Sequence, residues 1–140
     1  MLILVSAVAP YVPGNFYLRE LPCLLAVLPR LPAVPACIVV DGYVWVSAQG
    51  KPGLGARLHA ALSHAAPVVG VAKTAFKPLH GSPLVELVYR GGSARPLFVT
   101  SLGIDVARAG VLVRSMHGRY RIPDALRRAD HLARETEGAA

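Results

Sequence analysis

Apolar positions in this chain keep changing rhythm between unbroken runs and helical spacing. The first eight or so residues, rich in Leu, Ile and Val, form a run that stops at Pro10 and predicts a strand entering a turn. From about Asn15 to Leu28 the apolar residues Phe16, Leu24, Leu25 and Leu28 fall on much of one helical stripe, with Pro22 in the early part of the helix. Ala36–Gly42 is a short apolar run closed by Asp-Gly, and Pro67–Lys73 is a second run closed by lysine. Both read as strands buried on two faces, which is how parallel strands look. Leu54–His64 between them is helical in pattern. Leu84–Arg90 and Pro96–Ser101 predict a hairpin across "GGSAR". Helices follow from about Asp105 to Met116, with Gly118 as the closing cap, and from Pro123 to about Glu135. The last residues, "ETEGAA", read as a frayed tail.

Strand–helix–strand alternation followed by a hairpin predicts one α/β domain with a sheet of mixed direction. In such sheets ligands gather beyond the carboxyl ends of parallel strands. Asp41 and Lys73 occupy those ends on two successive strands, so they are the first candidates for chemistry.

Composition narrows the class. Apolar residues make up 54% of the 140, which excludes disorder on compositional grounds. Fifteen Lys and Arg against eight Asp and Glu leave a formal charge of +7, which suits a polyanion such as nucleic acid. Cys23 and Cys37 lie in apolar segments without CxxC spacing or a neighbouring His, so they read as small packing residues in a reducing compartment. No apolar run reaches the roughly 20 residues a bilayer span requires. The opening "MLILVSAVAP" lacks a basic start, so the expected location is the cytoplasm.

Acids are scarce: Glu20, Asp41 and Glu86 are the only ones before position 100. Magnesium takes oxygen ligands, commonly one or two carboxylates with phosphate oxygens and waters. Glu20 at a helix start, Asp41 at a strand end and Asp130 on the last helix could converge on one edge. Each also has an ordinary role: Glu20 favours a helix N-terminus, Asp41 opens an Asp-Gly turn, and Asp130 lies at pairing distance in sequence from Arg127 and Arg134. Asp41 is read as functional, because a fully buried run is a poor place for an acid. Lys73 either meets a phosphate or simply carries its charge to solvent. Gly53 and Gly55 belong to a glycine-rich loop before a helix that is not a Walker A pattern, and they are read as a close approach to a nucleic-acid backbone. Pro10 and Pro13 stiffen the turn around Tyr11.

Six segments, "PYVPGNFYLRE", "IVVDG", "LGARLH", "GVAK", "ARPLFVTSLG" and "RYRIPDALRRAD", occur in the order seen in the endonuclease V (deoxyinosine 3′ endonuclease) family, and the resemblance runs from about Val8 to Arg134. It implies a ribonuclease H-like α/β fold, a mixed sheet with flanking helices, over residues 1–135, with 136–140 as tail. It implies a Mg²⁺- or Mn²⁺-dependent nuclease that cuts DNA or RNA near inosine in the course of repair. By the same resemblance Glu20 and Asp41 are catalytic metal ligands, Asp130 completes the metal site and Lys73 is the active-site lysine. Pro10, Tyr11, Val12 and Pro13 match the strand-separating wedge, and Gly14 and Arg19 fall in the same motif. Two positions differ. Tyr43 stands where the family commonly has histidine, and none of the nine residues before Pro10 is acidic, whereas the family's first catalytic aspartate lies upstream of the wedge. The expectation is therefore an N-terminally truncated version of the fold, with strand edges open to self-association. The alternative reading is a catalytically inactive nucleic-acid-binding relative or a truncated fragment.

Overall fold

The computed structural model describes residues 17–33, 35–63 and 66–138; in residues 17–20, 27 and 133–138 it describes the backbone alone. The strand expected before Pro10 and the turn around Tyr11 lie outside the described residues. Four strands, β1 (Ile38–Asp41), β2 (Val68–Ala72), β3 (Glu86–Val88) and β4 (Leu97–Leu102), form one sheet in the order β1-β2-β4-β3. β1 runs parallel to β2, with Val40 opposite Gly70 and Asp41 opposite Val71. β4 pairs antiparallel with both β2 and β3. The sheet is therefore mixed in direction, as the strand–helix–strand and hairpin patterns require.

Alternate residues of β2 feed the two faces, the period of a pleated strand. On one face Val69 and Val71 join Val88, Leu97 and Val99 beneath α3 (Val106–Ser115), which contributes Ala109 and Val113. Ile122 and Leu126, the latter on α4 (Asp124–Gly138), pack at the margin of this cluster. On the opposite face Val68 and Val40 meet Val44 and the α2 (Leu54–Ala61) residues Ala56 and Leu58. Over them lie Leu21, Leu24 and Leu25 of α1 (Tyr17–Val27), with Leu28 just beyond it. The apolar stripe read on that helix is thus a packing stripe, and Pro22 sits inside the helix. Fully burying a Val or Leu is worth about 1.5–3 kcal/mol, so these two clusters dominate the fold's stability.

Four readings need correction. β1 is not buried on two faces: it is an edge of the described sheet, Val39 is 36% exposed and Asp41 is exposed. An apolar run reports the composition of a strand but not how many neighbours it has. α2 stops at Ala61, before His64, because the chain turns at Ser63, whose φ of 53° is left-handed. α3 closes at Met116 and not at Gly118. Gly118, with φ of 123°, instead lets the chain fold back on α4, where an added Cβ would lie 2.6 Å from Asp124 Oδ1. At the other end of α3, Asp105 is the N-cap, its carboxylate accepting from the Arg108 amide at 3.3 Å. α4 continues to Gly138, past the end expected near Glu135.

Candidate active site

The parallel register places the carboxyl end of β1 beside that of β2. Asp41 is the last residue of β1 and Lys73 follows β2 directly, so their side chains meet, Nζ to Oδ2, at 3.6 Å. The pair is open, with Lys73 34% and Asp41 62% exposed, so the attraction is solvent-screened and contributes little to stability. Its value is the reverse: a carboxylate and an ammonium held together where a ligand can reach both.

The backbone behind the pair is tightly made. After Asp41 the chain crosses the sheet at Gly70, where a Cβ would lie 2.5 Å from the Gly42 carbonyl oxygen. The Val44 amide there donates to buried Thr100 Oγ1 at 2.9 Å. The Tyr43 hydroxyl donates to the Thr74 carbonyl at 2.6 Å, so the segments that follow Asp41 and Lys73 are bonded to each other. Burial pushes the Tyr43 phenol above its ordinary range, with a smaller opposing pull from the backbone at Phe76. The two rings, Tyr43 and Phe76, have centroids 5.6 Å apart and tilt by 40°. They line a cleft of about 370 Å³ whose other walls include Leu79, Val85 and Phe98.

Lys73 also lines a second depression, a groove of about 670 Å³ shared with Arg127, Arg128, Asp130 and His131 of α4. Arg121, in the turn before α4, fixes the start of that groove. Its guanidinium donates to the carbonyls of Lys73 and Pro96 through Nη2 and to that of Arg95 through Nε. Burial lowers the Arg121 pKa, and neighbouring Arg95 lowers it further. The arginine thus ties the end of β2 and the approach to β4 to the base of α4.

Of the residues singled out from sequence, the structure joins Asp41 with Lys73 and sets Lys73 and Asp130 on one groove. Glu20 and Arg19 lie within α1, where the backbone alone is described. Pro10, Tyr11, Val12, Pro13 and Gly14 lie outside the described residues. Gly53 and Gly55, read from sequence as a close approach to nucleic acid, stand at the N-cap and in the first turn of α2. Both are buried, and an added Cβ would lie 2.8 Å from the Tyr43 carbonyl at Gly53 and 2.6 Å from Val44 Cγ2 at Gly55. They are glycines because α2 packs against residues 43–46, so the close approach they permit is to this chain itself. Sequence reading passed over Arg121, Phe76 and Arg127. The one signal for Arg121 was its place before Ile-Pro in a quoted motif; nothing in the sequence showed that its partners would be backbone carbonyls.

Among the described residues no three His, Cys, Asp or Glu side chains gather into a metal-holding group. Asp41, paired with Lys73, and Asp130, on the groove that Lys73 also lines, nevertheless offer hard oxygen donors. That suits a magnesium-like ion, which takes few protein carboxylates and leaves positions for water and phosphate. Among the described residues no helix is long and apolar enough to cross a membrane.

Comparison with known proteins gives the family and the fold. The family model described as Endonuclease V matches residues 2–131. The Endonuclease V of Streptomyces avermitilis is 35% identical over 143 residues, covering 89% of this chain and 61% of that protein. The Endonuclease V of Azotobacter vinelandii is 34% identical over 144 residues, covering 89% of this chain and 62% of that protein. The chain thus spans about three-fifths of the length of these relatives. Among solved structures, the Streptomyces avermitilis Endonuclease V superposes with a TM-score of 0.68 at 29% identity, over 94% of this chain and 64% of that one. Human ENDOV superposes with a TM-score of 0.71 at 26% identity, over 94% of this chain and 69% of that one. The ribonuclease H-like expectation for the α/β fold therefore holds, and the chain belongs to the Endonuclease V family.

Proposed function

We propose that this chain is a divalent-metal-dependent endonuclease of the endonuclease V type, hydrolysing a phosphodiester near deoxyinosine or inosine and serving nucleic-acid repair in the cytoplasm. The observation that carries the reading is the Asp41–Lys73 pair at the ends of two parallel strands, set between an aromatic cleft and a basic groove. Asp41, Asp130 and Glu20 would hold Mg²⁺ or Mn²⁺, which when bound supplies an activated water and charge neutralisation at phosphorus. Lys73 places its ammonium against a non-bridging phosphate oxygen, where charge grows as water attacks and the 3′-oxygen leaves. The products are a 3′-hydroxyl and a 5′-phosphate. The Tyr43–Phe76 cleft offers flat apolar walls to a base taken out of the stack, and residues 10–14, with Tyr11 among them, would part the strand beside it. Self-association through the side of β1 that has no strand partner among the described residues belongs to the same reading.

The test is nicking of an inosine-containing oligonucleotide with Mg²⁺ or Mn²⁺, beside an inosine-free control. Cutting is expected to stop with EDTA and in Asp41→Ala, and to fall on the order of 100-fold in Lys73→Ala. A second reading, a non-catalytic nucleic-acid-binding relative, is favoured by the absence of a three-carboxylate group among the described residues. Salt-sensitive binding with no cutting in either metal would select it and sink the nuclease.

A further inference from the structure

The turn between α3 and α4 carries an aromatic ring that the chemistry above does not use. Tyr120 is 49% exposed, and two guanidinium groups lie against its ring, Arg119 at 5.0 Å and Arg127 at 5.1 Å from the centroid. Arg119 Nη2 also donates to the Tyr120 hydroxyl at 2.9 Å. Cation–π contacts at exposed sites are worth only about 0.5–1 kcal/mol each, too little to account for gathering two like charges on an exposed ring. The ring's support is rigid. Buried Arg90 donates to the carbonyls of Met116, Gly118 and Arg121, so the turn is held from beneath. At Gly91 the same turn presses so close that a Cβ would lie 2.7 Å from the Tyr120 carbonyl carbon.

This tier is continuous with the Lys73 groove. Arg127 stacks on Tyr120 and lines that groove, and Asp124 lines both the groove and the smaller depression that holds Arg119 and Tyr120. Asp124 is itself engaged by His117 at 3.0 Å and sits in the first turn of α4, where a carboxylate is favoured. From Lys73 to Tyr120 the surface thus offers cations spaced along a path, with a fixed π-tier at its far end. We infer that the Arg119–Tyr120–Arg127 tier is a docking surface for single-stranded nucleic acid leaving the Lys73 groove. An unpaired base stacks on the ring or on a guanidinium plane, and the flanking phosphates take the arginine charges. Paired bases keep their faces inside the duplex and gain nothing here. The inference rests on the nucleic-acid reading above and adds where the strand runs.

The experiment is fluorescence anisotropy of labelled, inosine-free oligothymidine across a salt series without divalent metal, repeated with a duplex of the same length. Tyr120→Ala is expected to weaken single-strand binding by about 5-fold or more with the salt slope unchanged. Tyr120→Phe is expected to stay near wild type, and Arg127→Gln to reduce the slope by about 0.7. Circular dichroism melts of each variant check that the fold is intact. Tyr120→Ala binding within twofold of wild type, a Tyr120→Phe loss as large as that of Ala, or an equal loss on the duplex each overturns the docking surface. A wild-type chain that binds neither oligonucleotide at low salt fails the broader nucleic-acid reading instead.

Discussion

Tyr43 shows how one side chain ties protonation to stability. Its hydroxyl bonds the Thr74 carbonyl, and burial raises its pKa above 10.0. The folded chain therefore holds this proton more tightly than the unfolded chain does, and the unfolding free energy falls as pH rises past about 10. Burial raises the Cys37 thiol above 9.0 in the same sense, so both groups destabilise the fold on the alkaline side and leave it untouched near neutrality. Urea denaturation as a function of pH is expected to show a shallower alkaline decline in Tyr43→Phe than in wild type. A decline of unchanged slope would remove Tyr43 as its source. Residue-scale facts of this kind were hidden in the sequence, where Tyr43 stood out only as a tyrosine in a histidine's place.

Among the elements, the turn between α3 and α4 depends on one buried cation. Arg90, 7% exposed, donates to the carbonyls of Arg114, Met116, Gly118 and Arg121. Arg114 lies in the last turn of α3 and the other three follow it, so the arginine satisfies carbonyls that water would otherwise have to reach. Arg90→Leu strands those carbonyls and is expected to cost at least about 3 kcal/mol in urea unfolding; Arg90→Lys is expected to recover little, because an ammonium lacks the planar fork. Strand ends, helix stripes and the hairpin could be read because each is written locally, in runs and periods. Asp41 and Lys73 were legible for that reason: each closes a run. The edge position of β1 left no mark in the run itself, since a strand's neighbours come from chain far away; an open edge was expected only from the family resemblance. The roles of Arg90 and Arg121 could not be read, because backbone acceptors leave no mark in a sequence. The crowding at Gly53 and Gly55 was hidden for the same reason, their neighbour being a loop ten or so residues away in the chain.

Taken whole, the molecule is strongly basic and asymmetric. Its charge of +7 favours polyanions at low salt, while β1 ends the described sheet with Val39 exposed. An open, apolar strand edge is a template for pairing. Sedimentation velocity is expected to show association that grows with concentration and is weakened by Val39→Lys, which puts a charge on that edge. A single monomeric species at all concentrations would exclude pairing at β1. Higher salt should strengthen such pairing by screening the like charges, while it weakens nucleic-acid binding, so the two equilibria can be separated by salt alone.

Arg90 also imposes an order in time. Its four carbonyl partners lie 24 to 31 residues further along the chain. During synthesis its position just past β3 is therefore reached long before the groups that compensate its charge have left the ribosome. Until residue 121 emerges, burying this arginine is unfavourable, and the β3–β4 hairpin has reason to wait. Half of the sheet and the turn that frames the candidate site should then settle in one late step, so that a nascent chain does not acquire a finished groove before it has the residues that line it.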